Sequence, residues 1–200
     1  MIMVQQGLYG RPCAVREARI TSWAAVLALA TLGGCAGAGS QSLRENLDPE
    51  TGNTAVSLPR PMELVADTSR GPQRDPFALL APFEVDRMGE HRRFLWVSVP
   101  EDNGAVEAVQ VLCDGDAVAT APGRTELKLL GLTRPPYEPV APWSGEWYLP
   151  VAAAGLDCLA HAPRITVVSR LTSGSEERFS ATASELRPLA SFISQDTALR

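Results

Sequence analysis

The stretch "VEAVQVLCDGDAVAT", residues 106–120, decides the fold. Two runs of mainly apolar residues, Val106–Cys113 and Ala117–Thr120, flank the dipeptide Asp114-Gly115. Asp-Gly between such runs is a strong signal for a β-hairpin, because both central residues of the favoured turn need positive φ. The stretch therefore predicts a pair of antiparallel strands at the centre of the chain.

Further strands are predicted on both sides of this hairpin. The segment "RRFLWVSV", residues 92–99, is apolar on both faces, as in a central strand that is covered on both sides. Phe77–Asp86 contains Pro82, which cannot donate a hydrogen bond, so we expect an edge or bulged strand. The segment "RITVVSRL", residues 164–171, alternates cleanly, and Glu177–Thr182 is expected to pair back on it. Shorter strands are predicted at Ala55–Leu58, Met62–Ala66 and Thr125–Leu130.

Two helices complete the prediction. The segment "PVAAAGLDCLAHA", residues 150–162, opens on a proline, which suits a first helical turn. Its expected buried face carries Val151, Ala154, Cys158, Leu159 and Ala162. A short C-terminal helix is predicted with Pro188 in its first turn and with Leu189, Phe192 and Ile193 facing inward. The fold class is therefore α+β, with a mainly antiparallel sheet, for which a sandwich-like arrangement stays open.

The N-terminal segment has the order of a secretory signal peptide. Arg16 and Arg19 precede Ile20–Leu32, a run of 13 mostly apolar residues, and small residues follow the run. The run is too short to span a bilayer, which needs about 20 apolar residues. Residues 1–14 fit a leader poorly, and initiation at Val15 would give a leader of ordinary length.

The leader ends in Leu32-Gly33-Gly34-Cys35, which resembles the lipobox of bacterial lipoproteins. The resemblance implies that the Cys35 sulfur receives a diacylglycerol, that the chain is cut before Cys35 and that the new amine is acylated, for example with palmitate. Two or three acyl chains give stable membrane anchoring. Ala36 follows the cysteine where an aspartate commonly retains such proteins in the inner membrane, so the outer membrane, facing the periplasm, is expected.

This processing defines the domain organisation. We expect residues 1–34 to be the signal peptide, residues 35–50 to be the lipidated cysteine and a flexible tether, and residues 51–200 to form one globular periplasmic domain. The blocks "PFEVDRMGEHRRFLW" (82–96) and "EWYLPVAAAGLDCLAHAPRITV" (146–167) resemble those of uncharacterised bacterial lipoproteins, which imply no activity.

Cysteine and charge counts change once the leader is removed. Cys13 is lost and Cys35 carries lipid, so Cys113 and Cys158 remain as a candidate disulfide in a compartment where disulfides persist; two buried free thiols are the alternative. The 166 residues from Cys35 onward hold 15 basic against 22 acidic residues, a net charge of −7. This balance argues against a nucleic-acid partner and against membrane binding by charge alone.

Few residues form a pattern that carries chemistry. The chain has no H-E-x-x-H, C-x-x-C or G-x-S-x-G motif. His91 and His161 are interpreted as surface or helix-end residues, and Arg92-Arg93 as a solvated strand end. The oxygens of Asp114–Asp116 and Glu101–Gly104 lack the spacing of a calcium site, which needs six to eight ligands. No catalytic residue, metal site or cofactor is therefore predicted.

The most suggestive stretch is "RPPYEPVAPWSGEWYLP", residues 134–150. Its stiff prolines alternate with four amphipathic aromatic residues, the kind of side chain that builds partner surfaces and sugar platforms: Tyr137, Trp143, Trp147 and Tyr148. The alternative is a loop folded over the sheet, with its rings completing the core.

Three functional hypotheses follow from the sequence. The first is a non-catalytic, membrane-anchored envelope lipoprotein that acts as a scaffold or accessory protein for an envelope partner. The second is a periplasmic module that binds a glycan or small ligand through residues 134–150. The third is an enzyme whose site is assembled from distant residues.

Overall fold

A computed structural model describes residues 42–67, 77–139 and 141–198 of the chain. All of them belong to one compact unit, Gly37–Arg200. The strands are β1 (Arg44–Leu47), β2 (Thr54–Ser57), β3 (Met62–Ala66), β4 (Phe77–Arg87), β5 (Glu90–Pro100), β6 (Val106–Cys113), β7 (Asp116–Ala121), β8 (Ser144–Pro150), β9 (Arg164–Leu171) and β10 (Glu176–Thr182). The helices are α1 (Ala153–His161) and α2 (Arg187–Ala198), with a 3₁₀ turn at Leu127–Leu130.

Within the described residues the ten strands form one antiparallel sheet, so the fold is α+β, as predicted. A continuous path runs through β8, β5, β4, β3, β10, β9, β6 and β7, and β2 and β1 extend from the second half of β4. β7 and β8, the two ends of this path, lie beside each other. The strands therefore form a single curled sheet rather than the two separate sheets of a sandwich.

The hairpin predicted at residues 106–120 is confirmed. β6 and β7 are joined by Asp114 and Gly115, whose φ values are 50° and 98°, and Cys113 lies opposite Asp116. Positive φ at both positions is the requirement that selects Asp-Gly for this turn. Met88 and Gly89, with φ values of 54° and 88°, connect β4 to β5 in the same way.

β4 corrects the prediction for Phe77–Asp86. It is an 11-residue central strand that pairs with β5 along one side and with β3 and then β2 along the other. Pro82 lies where the partner changes, between Leu80, which is opposite Met62, and Phe83, which is opposite Ser57. A proline is tolerated here because the missing N–H falls in the gap between two partner strands.

Alternate residues of the curled sheet enclose an inner core. Its largest fully buried side chains include Trp147, Phe179, Leu64, Leu80 and Leu95. Leu156 and Leu159 of α1 and Leu189 of α2 belong to the same cluster, while Phe192 is also fully buried. Both helices therefore close this core, and the inward face predicted for the C-terminal helix is confirmed.

A second core lies on the opposite face of β4, β5 and β8. Phe83, Phe94, Trp96 and Tyr148 project from these strands and are covered by Leu130, Leu132 and Tyr137. Phe83 stacks on Phe94 with ring centroids 5.3 Å apart, and Trp96 lies 5.2 Å from Tyr137. The segment 127–137 is therefore the lid of this outer core.

Three other predictions need correction. Thr125–Leu130 is not a strand but contains the 3₁₀ turn, which places Leu130 on the outer core. The helix predicted at 150–162 begins at Ala153, because β8 continues through Pro150, and Ala154 is exposed while Leu156 is buried. Residues 44–50, assigned to the tether, form β1 and a turn anchored to the domain.

Residues 1–41, which hold the predicted leader and the first part of the tether, fall outside the described residues. This applies to the signal peptide, to the lipobox and to Cys35. Among the residues that are described, no helix is long and apolar enough to cross a membrane.

Candidate functional site

The four aromatic residues singled out in the sequence do not form one platform. Trp147 faces the inner core and Tyr148 the outer core, because consecutive strand residues point to opposite faces of a sheet. Tyr137 is part of the lid, and its ring is buried against the outer core. Trp143 is 63% exposed and is the member of this set that an external ligand could reach.

Tyr137 holds the lid to the sheet through its hydroxyl group. The hydroxyl donates a hydrogen bond to the carbonyl of Pro82 at 2.9 Å and accepts one from the Leu58 N–H at 2.9 Å. It therefore occupies the gap between β2 and β3 that Pro82 leaves open. Burial raises the pKa of Tyr137, which keeps the hydroxyl protonated and able to donate.

Tyr148 and Trp96 share one acceptor, the carboxylate of Glu146. The Tyr148 hydroxyl donates to Oε2 at 2.8 Å, and the Trp96 indole N–H donates to the same oxygen at 3.2 Å. Burial raises the pKa of Tyr148, and the hydrogen bond to Glu146 raises it further. These contacts satisfy the polar atoms of the outer core.

The exposed Trp143 belongs to a group of polar side chains at the end of the curled sheet opposite α1. We call this group the loop-end cluster; its members are Glu101, Asn103, Arg124, Trp143 and Glu177. The Trp143 carbonyl accepts a hydrogen bond from the Glu101 N–H at 3.2 Å, and Glu101 pairs with Arg124. Asn103 donates to Glu177 at 2.9 Å. Three loops and β10 therefore carry an exposed tryptophan, an ion pair and an amide–carboxylate pair at the same end of the sheet, and the backbone of Trp143 is bonded to Glu101.

Gly145 and Trp147 form the floor beneath the Glu101–Arg124 pair. A Cβ on Gly145 would lie 2.5 Å from Glu101 Oε1 and 2.7 Å from Arg124 Nη2, so the pair occupies the space of the missing side chain. The Arg124 guanidinium carbon lies 5.8 Å from the centroid of the Trp147 ring, within the range of a cation–π contact.

Two buried polar atoms of the inner face lie on strands that border the loop-end cluster. The Trp147 indole nitrogen and the Ser169 hydroxyl have no hydrogen-bond partner among the residues described. Ser169 lies opposite Glu177 in the sheet register and is fully buried. Buried polar atoms are nearly always paired, so both mark places where a water molecule or a ligand group would be stabilised.

Asp48 anchors the beginning of the domain to the lid. Its carboxylate accepts hydrogen bonds from the Thr133 N–H and hydroxyl and from the N–H groups of Glu50 and Thr51. The Thr133 N–H is the largest of the contributions that lower the pKa of Asp48 far below its ordinary value. The hydrogen bonds explain why residues 44–50 are held in the domain.

A buried carboxylate, that of Glu84, lies near the β4–β5 turn. The Glu84 side chain, 5% exposed, contacts His91 Nδ1 at 2.6 Å and Arg93 Nε at 3.2 Å. His91 is an exposed residue, as predicted, whereas Arg93, predicted to lie at a solvated strand end, is only 18% exposed and contacts the buried Glu84. The turn at Met88-Gly89 was the sequence signal that indicates this contact, because the register it sets between β4 and β5 places Arg93 directly opposite Glu84.

The remaining candidate residues take structural positions. Cys113 of β6 and Cys158 of α1 are joined by a disulfide, so the two thiols are not free. His161 lies at the end of α1 with Nδ1 2.9 Å from the Asp157 carbonyl. Asp114, Asp116 and Glu101–Gly104 lie in turns or at strand ends, and the described residues contain no group of three or more potential metal ligands.

Comparisons with models of known protein families, with curated proteins and with solved structures find no match.

Proposed function

We propose that this protein is a lipid-anchored envelope protein with a non-catalytic scaffold or accessory role, held at the outer membrane and facing the periplasm. The carrying observation is the order of the N-terminus: two arginines, 13 mostly apolar residues and then Leu32-Gly33-Gly34-Cys35. The pairing of Cys113 with Cys158 supports export, because disulfides persist in oxidising compartments.

The domain boundary supports a short connection between anchor and fold. β1 begins at Arg44, nine residues after Cys35. Nine residues span at most about 30 Å when fully extended. A lipid on Cys35 would therefore hold the sheet close to the membrane surface, which suits an accessory protein that meets partners embedded in the same membrane.

Replacing Cys35 tests the proposal directly. We expect Cys35→Ala to abolish labelling with radioactive palmitate and to move the protein out of the membrane fraction, since the thiol is the lipid acceptor. Cys13→Ala is the matched control, because Cys13 lies in the discarded leader, and it should leave both results unchanged. Labelling that survives Cys35→Ala would rule the proposal out.

A second candidate function, binding of a glycan or small ligand, is favoured by the loop-end cluster. The exposed indole of Trp143 offers a surface on which a sugar ring can stack, and the same end of the sheet carries carboxylate, guanidinium and amide groups that can bind sugar hydroxyls. This proposed site is centred on Trp143; Trp147 lies beneath Arg124, while Tyr137 and Tyr148 belong to the outer core.

Tryptophan fluorescence tests this second function. Soluble peptidoglycan fragments are expected to quench the fluorescence of the wild-type protein, and Trp143→Phe is expected to remove that response. Met88→Ala, at a fully exposed position outside the loop-end cluster, is the control and should bind like the wild type. A response that Trp143→Phe leaves intact would place binding elsewhere.

A further inference from the structure

A proline-lined groove lies on the outer side of the domain, beside the start of β1. It has a volume of about 460 Å³, and Tyr137, Glu138 and Arg44 contribute to its walls. Its other lining residues are prolines from two separate segments of the chain: Pro59, Pro61, Pro135 and Pro136. Because proline fixes φ, these walls are stiff, and the groove is formed before any ligand binds.

Three exposed arginines lie on the segments that form this groove. Arg44 lines it, Arg60 stands between Pro59 and Pro61, and Arg134 immediately precedes Pro135. The positive charge of Arg44 also lowers the pKa of the Tyr137 hydroxyl, although burial has the larger effect and raises it. This interaction indicates that the charge of Arg44 lies near the wall that Tyr137 contributes to the groove.

These arginines differ from most others in the domain. Arg92, Arg93, Arg124, Arg164, Arg170 and Arg178 each have a carboxylate within 4 Å. Within the part of the chain that the structure describes, Arg44, Arg60 and Arg134 have no such partner. The lining of the groove itself holds one arginine, Arg44, and one glutamate, Glu138. The excess of positive charge comes from Arg60 and Arg134, which flank the lining prolines, although the chain as a whole is acidic.

We propose that this groove binds the phosphate groups of anionic phospholipids in the membrane that holds the anchor. The guanidinium group suits phosphate because it donates two parallel hydrogen bonds to its oxygens. Arg44 lies nine residues from Cys35, so the anchor keeps the groove within about 30 Å of the bilayer surface. The inference rests on the proposed lipid anchor and adds that the domain lies against the membrane in one orientation.

Hydrogen exchange on the lipidated protein tests this orientation. The protein is reconstituted into phosphatidylcholine vesicles with or without phosphatidylglycerol, and exchange is followed in peptides covering residues 44–64 and 127–139. We expect exchange at the groove to slow about fivefold in the anionic vesicles, the effect of a single cation near an anionic surface. High salt should remove the difference, since it screens surface charge.

Charge-matched variants identify the residues responsible. The combined change Arg44→Gln, Arg60→Gln and Arg134→Gln should abolish the slowing. The control Arg87→Gln, Arg170→Gln and Arg187→Gln removes the same charge from other exposed positions and should retain it. Glu138→Gln should increase it. Unchanged melting temperatures would show that the variants fold.

Each other outcome has a defined meaning. Failure of the wild-type protein to float with pure phosphatidylcholine vesicles would overturn the lipid anchor itself. Flotation with equal exchange in both vesicle types, or equal loss of protection in both triple variants, would overturn the groove proposal alone. Equal protection by inorganic phosphate with neutral vesicles would show a site for free anions and overturn the lipid assignment.

Discussion

At the residue scale, Tyr137 joins three parts of the domain through one oxygen atom. Its hydroxyl bridges Leu58 at the end of β2 and Pro82 in β4, and its ring covers Trp96 in the outer core. The ring therefore supplies apolar burial, while the hydroxyl supplies the hydrogen bonds that β2 and β3 cannot make across the gap at Pro82.

We predict that Tyr137→Phe destabilises the domain by about 1–3 kcal/mol, because the ring stays buried while the Leu58 N–H and the Pro82 carbonyl lose their partner. Urea denaturation measures the change in the free energy of unfolding. Trp143→Phe alters an exposed aromatic side chain of the same segment and should stay within about 0.5 kcal/mol of the wild type. Equal stabilities of the two variants would contradict the bridging role.

The candidate site was only partly predictable at this scale. Composition marked residues 134–150 as aromatic and stiff, and it located Trp143. It did not show that Trp143 is exposed while Trp147 and Tyr148 are buried. Trp147 and Tyr148 point to opposite faces of the sheet because they are consecutive residues of β8, and both faces of this strand are covered. Asn103, Arg124 and Glu177 come from separate segments, and no local pattern connects them.

At the scale of elements, local turn chemistry was the most informative signal. The Asp114-Gly115 and Met88-Gly89 turns fix the registers of β6 with β7 and of β4 with β5, since φ is positive at both central residues of each turn. Pairing between distant segments was not predictable in this way. Pro82 led to the prediction of an edge strand, because proline cannot donate a hydrogen bond. That prediction was wrong because the sequence does not show that β4 exchanges one partner strand for another at this residue.

The predictions for short elements were wrong for a related reason. Residues 44–47 are polar or exposed and have little strand signal, but they pair with β2, and Asp48 fastens the following turn to Thr133. Thr125–Leu130 reads as a strand, although its role is to place Leu130 over the outer core. In both cases long-range contacts override a weak local preference.

The disulfide links the sheet to α1, and its removal gives the prediction at this scale. Replacing Cys113 and Cys158 together by alanine should lower the free energy of unfolding by about 4 kcal/mol in the chain-entropy model, because the bond closes a loop with a sequence separation of 45. Thermal and urea unfolding of the double variant measure the loss.

Reduction of the wild-type protein is the matched comparison. It breaks the same bond without changing any residue, so its stability should approach that of the double alanine variant. Hydrogen exchange should also rise first in α1, since the remaining contacts of this nine-residue helix are packing contacts of residues such as Leu156 and Leu159. A reduced protein as stable as the oxidised one would show that the bond adds nothing to stability.

At the scale of the whole molecule, one sheet serves two cores. The inner core is closed by α1 and α2, and the outer core is closed by residues 127–137. β4 and β5 are buried on both faces as a result, which accounts for the continuous apolar run that the sequence shows at 94–97. The lid is held by Tyr137 at one point and by Asp48 at another, so its attachment depends on two titratable groups.

This arrangement predicts how the stability of the whole domain depends on pH. The pKa of Tyr137 is raised in the folded state, so the unfolded chain releases this proton first when pH rises above about 10. Stability is then lost with increasing pH, by up to about 1.4 kcal/mol per pH unit for this tyrosine. Tyr148, whose pKa is also raised, acts in the same direction.

At acid pH the stability of the domain is lost as pH falls rather than as it rises. The folded domain lowers the pKa of Asp48, so its stabilising effect is fully present above about pH 4 and is lost as pH falls below that value, where the unfolded chain takes up the proton first. Urea denaturation across the pH range should therefore show a central plateau that falls at both ends. Tyr137→Phe should make the alkaline fall shallower, leaving the contribution of Tyr148, and Asp48→Asn should make the acid fall shallower, each without changing the other limb. If Asp48→Asn alters the alkaline limb, or Tyr137→Phe the acid limb, the two attachments of the lid do not act independently.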